Sequence, residues 1–231
     1  MKKEENNTVE EKAYTAIRLA ILQRKLTPGM KIPTQSLSKE LGISRTPVRW
    51  ALQQLSSEGF VEMKSNHAAH VVKPSENKIK EIYYMRGILE PHAIILSCRY
   101  AKKSDIKKLR EFAKQERKMF QTRNIAGYAN ANEQFHLEIA RLARNQTLYE
   151  TIQKFITQTV IILSLFDRFY EFSKEEEVAY DSENERLISY IENKDEKRAF
   201  DEMKNHISHS FEELALDKLE EITSIFTNLQ K

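Results

Sequence analysis

The chain has one cysteine, Cys98, so no intrachain disulfide can form and a cysteine-based zinc site would have to recruit other ligand types. No run of about 18 apolar residues occurs. The longest apolar stretch, TVIILSLF at 159–166, is too short to span a bilayer. The N-terminal MKKEENNTVEEK lacks the apolar core of an export signal. A protein of the reducing cytoplasm, with no membrane partner, is expected. Also missing are His-Glu-x-x-His, a glycine-rich phosphate loop and Gly-x-Ser-x-Gly. Glu133-Gln-Phe-His136 has the Glu-x-x-His spacing of di-iron helical bundles, but such a site needs that motif twice and it occurs once. The chain is therefore expected not to be an enzyme.

Glycine and proline are scarce, five of each, and three of each fall between residues 28 and 59. The punctuation thus belongs to a front module, and the remainder is expected to be nearly all helix. Charge divides the same way. Residues 1–74 hold 12 Lys and Arg against 7 acids, or +5, and the rest 25 against 27, or −2. A positive front module suits a polyanion, although a solvated charged surface gives the same count. Two domains follow, 8–74 and 75–231, joined at Lys73-Pro74-Ser75.

In the front module, Thr8 is a cap for a helix to about Lys25, stopped by the turn Thr27-Pro28-Gly29. Thr34 is expected to cap a short second helix. Gly42, which has no Cβ, permits the left-handed turn into a third helix capped by Ser44. FVEM and HVV, separated by KSNHAA, read as a two-stranded ribbon. Two short helices in a tight turn, backed by a first helix and followed by a ribbon, describe a winged helix-turn-helix. Its expected core is Ile17, Ile21, Ile32, Leu37, Leu41, Ile43, Val48, Leu52, Leu55 and Val61.

Pro47 would break a helix interior, but with Ser44 as cap it is the third helical residue, where no backbone bond is lost. Arg45, Thr46 and Arg49 then lead the third helix, while Val48, Leu52 and Leu55 turn inward. Arginine matches the O6/N7 edge of guanine in a major groove. Thr34, Ser44 and Thr46 offer hydroxyls for phosphates, and Lys64, Asn66 and His67 mark the ribbon tip as a backbone or minor-groove contact. For any two arginines the plain alternative is a solvated surface.

The second module reads as long helices over roughly 75–101, 105–122, 125–143, 146–169, 174–193 and 196–229, the last span being one helix or two, with Ser75, Ser104 and Asn124 as caps and a kink at Pro91. Asn132 and His136 share one helical face. An inward histidine is more often a hydrogen-bonded core residue than a ligand.

LSKELGISRTPVRWALQQLSSEGFVE resembles the DNA-binding domain of the GntR family of bacterial transcription regulators, and SRTPVR is among its more specific signatures. IYYMRGILEPHAI, with Arg86 and Glu90 four apart, resembles the opening helix of the FCD effector domain of the FadR subfamily. The likeness extends from about residue 10 to 215 and implies a mainly α fold, a winged helix-turn-helix followed by a helical bundle. It also implies a homodimer on a pseudo-palindromic double-stranded operator, more often a repressor, and a small-molecule effector bound among the helices.

FCD domains typically hold a divalent metal on one Asp and three His. Here Asn132 and Asn184 replace two of those ligands, while His136 and His206 match. Amides supply weak oxygens and no charge, so no metal is required and any site is a weakened remnant on His136 and His206. Asn132, His136, Asn184 and His206 are then expected to line an effector cavity. Arg86 would pair with an effector carboxylate, or else with Glu90 on its own helix. The family's usual acid after the second arginine is Trp50 here, and Ala68 stands where the wing commonly has glycine.

Overall fold

The computed structural model describes residues 8–64, 68–166 and 174–214. Among them are nine helices and one two-stranded sheet, so the chain is mainly α, as its composition predicts. It divides into two compact units, one running to Lys73 and one beginning at Pro74.

In the first unit, α1 (Val9–Leu22) starts at a reciprocal capping box. The Glu11 amide donates to Thr8 Oγ1 at 3.2 Å and the Thr8 amide to Glu11 Oε2 at 2.8 Å. Ala13, Ile17 and Ile21 form its buried stripe and pack on α3 (Arg45–Ser57), which contributes Val48, Ala51, Leu52 and Leu55. The first helix ends three residues before Lys25, where Arg24 turns left-handed at φ 58°. Between them lies α2 (Thr34–Glu40), and Gly42 at φ 65° makes the turn into α3.

The ribbon pairs β1 (Val61–Lys64) with β2 (Ala68–Val71), Val61 opposite Val71 and Lys64 opposite Ala68. Both strands therefore run closer to the tip than the apolar runs suggested. Amides of Gly29 and Ile32 donate to carbonyls of Val71 and Ala69 at 2.8 Å each, adding the 29–32 segment beside β2. Seven of the ten expected core residues are buried. Leu37, Leu41 and Ile43 are only half-buried, because seven-residue α2 and its turn cover one side of the unit without being covered themselves.

The second unit is a bundle of α4 (Glu76–Tyr100), α5 (Lys103–Gln121), α6 (Ile125–Leu142), α7 (Gln146–Phe166), α8 (Lys174–Glu192) and α9 (Glu196–Glu212). Helix α4 lies at the centre, against α6, α7, α8 and α9. Pro91 leaves the Gly87 carbonyl without its helical donor, yet α4 runs on through it. Ser75 and Asn124 cap as expected, accepting from the amides of Lys78 and Gly127. Ser104 does not. Helix α5 begins before it, with Asp105 reaching back to the Lys102 amide at 2.9 Å.

With so few glycines, the chain turns left-handed at Arg123, Arg144 and Lys194, φ 53–56°, where cations also complement the negative helix ends. The final helix stops at Glu212, and the rest of the predicted span to 229 lies mostly outside the described residues.

Candidate functional site

Helix α3 begins with Ser44 in an extended cap conformation, φ −70° and ψ 170°. The Ser44 hydroxyl makes no capping bond, contrary to expectation. Thr34 is corrected in the same sense, since Pro33 holds the cap position of α2 and Thr34 is its first helical residue. Both hydroxyls are thereby left without a partner among the described residues.

Pro47 is buried in the first turn, and Val48 behind it is fully buried, which orients the opposite face outward. Arg45, Thr46 and Arg49 are exposed. Neither arginine has a hydrogen bond or ion pair among the described residues. The helix contains no acid, so the face presents two unpaired guanidinium groups and a hydroxyl at the positive end of a helix dipole. Trp50 follows Arg49 and is 38% exposed. Of the ribbon-tip candidates, Asn66 and His67 lie outside the described residues, as does the side chain of Lys64.

In the second unit, polar side chains that are remote in sequence meet in the core. Glu90 Oε1 accepts from Arg86 Nε at 2.6 Å, and Glu90 Oε2 lies 2.6 Å from His136 Nδ1. All three are buried. Burial by itself would raise the Glu90 carboxyl, but the Arg86 guanidinium and then His136 outweigh it and hold it at about 2. His136 is pushed down to about 4, chiefly by burial, against the pull of Glu90.

The Nε2 atoms of His136 and His206 face one another at 3.3 Å, with the rings stacked. His206 Nδ1 lies 2.8 Å from Glu183 Oε2, and His209 Nδ1 lies 2.9 Å from Glu183 Oε1. Each of the two buried imidazoles is thus oriented by a carboxylate on its Nδ1 side. Asn132 and Asn184 turn their amide nitrogens to one buried carboxylate, Glu116, at 2.9 and 2.8 Å.

The four residues singled out for a cavity, Asn132, His136, Asn184 and His206, are therefore all buried in one unit, with His136 touching His206 and the two amides joined through Glu116. Arg86 takes the second of its two expected roles, since the carboxylate it binds belongs to Glu90. As donors for a divalent metal the set is poor. Two imidazoles supply half of a tetrahedral shell, and both amides point their nitrogens elsewhere. Among the described residues no group of three or more His, Cys, Asp or Glu is placed to hold a metal ion.

Glu116 and Glu183 are the residues sequence reasoning missed as parts of this site, and Glu90, expected only as a partner for Arg86, also holds His136. Glu116 left a signal, because it falls on the same stripe as Leu109, Ala113 and Phe120, an acid in an apolar repeat. A separate groove of about 550 Å³ runs between α4 and α9, with Tyr83, Tyr84, Phe200 and Phe211 on its walls and Lys80 and Lys204 at its rim. No helix among the described residues is long and apolar enough to cross a membrane.

Two family models match the chain. One described as bacterial regulatory proteins, gntR family, matches residues 9–71, and one described as FCD domain matches residues 81–209. The Nta operon transcriptional regulator of Aminobacter aminovorans is 29% identical over 126 residues, which cover 54% of this chain and 60% of that protein. The Uxu operon regulator of Haemophilus influenzae is 30% identical over 132 residues, 52% and 49% of the two chains. The chain thus spans about half to three fifths of these curated relatives. Both are named as regulators, not enzymes.

Among solved structures, McbR/YncC of E. coli superposes with a TM-score of 0.72 at 21% identity, over 87% of this chain and 94% of that one. A GntR transcriptional regulator of Rhodococcus sp. RHA1 gives 0.72 at 18% identity, over 87% and 95%. At these identities the likeness is one of fold.

Proposed function

The chain belongs to the GntR family of bacterial regulatory proteins, with an FCD domain behind its DNA-binding domain, and on that premise we propose that it is an effector-controlled transcriptional repressor. The observation that carries this reading is the exposed Arg45, Thr46 and Arg49 face of α3, acid-free and without protein partners among the described residues. Arg45 and Arg49 bind guanine edges, and Ser44, Thr46 and Thr34 bind phosphates. Two copies of the chain, associated through their helical units, present two such helices to a pseudo-palindromic operator.

The helical unit supplies the control. A small carboxylate effector competes with Glu90 for Arg86, and in doing so frees His136 from the carboxylate that orients it. The switch then has two states with different partners for the same guanidinium, which is what a ligand needs in order to shift an equilibrium. No metal takes part, in keeping with a donor set in which two of four positions are amides.

Duplexes selected from a random pool by the full-length protein provide the test. Log affinity should fall linearly with log salt, and Arg49→Ala should weaken the selected duplex by about tenfold or more. Unchanged affinity in Arg49→Ala would sink the DNA assignment. For the helical unit, a thermal-shift screen of small carboxylates, with metal analysis of protein purified without chelator, is the matching measurement. One equivalent of tightly held zinc would overturn the metal-free reading.

A further inference from the structure

We propose that Trp50 reads a thymine 5-methyl group in each half-site. This rests on α3 being the DNA-reading helix and adds a specificity determinant to it. Trp50 is the chain's only tryptophan and 38% exposed, on a helix whose inward positions Val48, Ala51, Leu52 and Leu55 are already filled. The indole therefore has no place in the core of its own unit.

Its position on the helix is specific. Four residues after Thr46, at about 100° per residue, Trp50 lies one turn further along and only about 40° around from it, while Arg49 is about 100° to the side. The indole thus flanks the arginine row on the side it shares with Thr46. With no acid anywhere in α3, nothing on this face repels a phosphate wall. Cationic, hydroxyl and amide groups elsewhere on the face, including exposed Gln53, suit hydrogen-bonding base edges. The indole has a single N–H donor on a large apolar ring, so an apolar feature suits most of its surface. In the major groove the base edges offer one such group, the methyl of thymine. An exposed indole in water gains by covering it, and a methyl buried from water changes an equilibrium by about three- to fivefold.

The test replaces each thymine of a selected duplex by deoxyuridine, which removes the methyl and nothing else. With the wild-type protein, one symmetry-related thymine position should lose about three- to fivefold in affinity. With Trp50→Ala, confirmed folded by circular dichroism, that penalty should vanish at that position alone. Being the only tryptophan, Trp50 should also change its own fluorescence when the thymine duplex saturates the protein, and change it less with the deoxyuridine duplex. The proposal is overturned if Trp50→Ala keeps the penalty, or if it weakens both duplexes equally, which would mark a sugar or phosphate contact instead. A wild-type protein that enriches no duplex at all would instead remove the DNA-reading premise, a result distinct from either.

Discussion

Asn132 on α6 and Asn184 on α8 are joined through one buried carboxylate, each donating its amide nitrogen to a different oxygen of Glu116 on α5, at 2.9 and 2.8 Å. Three helices are thereby tied at a point with no access to water. Truncation by Glu116→Ala would leave two buried N–H donors unmet and is expected to cost about 2–4 kcal/mol. Glu116→Gln keeps one carbonyl acceptor and should cost less. Urea unfolding followed by helical circular dichroism measures both, and equal stability of Glu116→Ala and wild type would contradict the bridge.

Acid should weaken the protein through the pair formed by Glu90 and His136. His136, pushed down to about 4 chiefly by burial, stays neutral while its unfolded counterpart takes up a proton near pH 6.5. The unfolded state then binds more protons, so stability falls as pH drops from about 6.5 to 4. Glu90, held at about 2 although burial opposes it, adds a second loss as pH drops from about 4.5 toward 2. Urea midpoints across pH should show both declines, and His136→Gln should flatten the upper one. Although partial burial opposes it, His209 is raised by Glu213 and Glu183 and works in the opposite sense, so the contradicting result is a His136→Gln variant that loses as much stability as wild type between pH 6.5 and 5.

The elements were largely legible in the sequence because their signals are local. The Thr8, Ser75 and Asn124 caps, and Gly42, each act within a few residues of themselves, and all are found in the structure. Residue type and position mark Ser44 and Thr34 as caps, but their hydroxyls make no capping bond. The polar core was half legible. Resemblance points to Asn132, His136, Asn184 and His206, but their partners Glu90, Glu116 and Glu183 come from other helices or other turns. Which acid closes such a network depends on tertiary packing, and only Glu116, an acid within an apolar stripe, betrayed its burial in advance.

Cys98 should be inert in the native protein. Its thiol is fully buried, with Sγ 3.8 Å from the Tyr190 carbonyl. Burial and then the negative charges of Glu196 and Asp195 push it up to about 12, so almost no thiolate exists at pH 8. Alkylation at pH 8 is expected to be at least about 100-fold slower in buffer than in denaturing urea. With a single thiol the reaction follows one exponential. Its rate then reports how often α4 opens toward α8, and labelling within minutes in native buffer would contradict the packing.

Gly42 isolates the backbone contribution of the turn between α2 and α3. Its φ is 65°, and a Cβ built there would meet nothing within 4 Å, so substitution brings no clash. The only penalty of Gly42→Ala is holding a side-chain-bearing residue left-handed, about 1 kcal/mol. Gly42→Asn should cost less, because asparagine tolerates that region. Trp50, in the same unit, provides the fluorescence signal for a thermal melt of all three proteins. Stability should rank Gly, then Asn, then Ala, and an Ala variant as stable as wild type would mean that the turn relaxes out of the left-handed conformation.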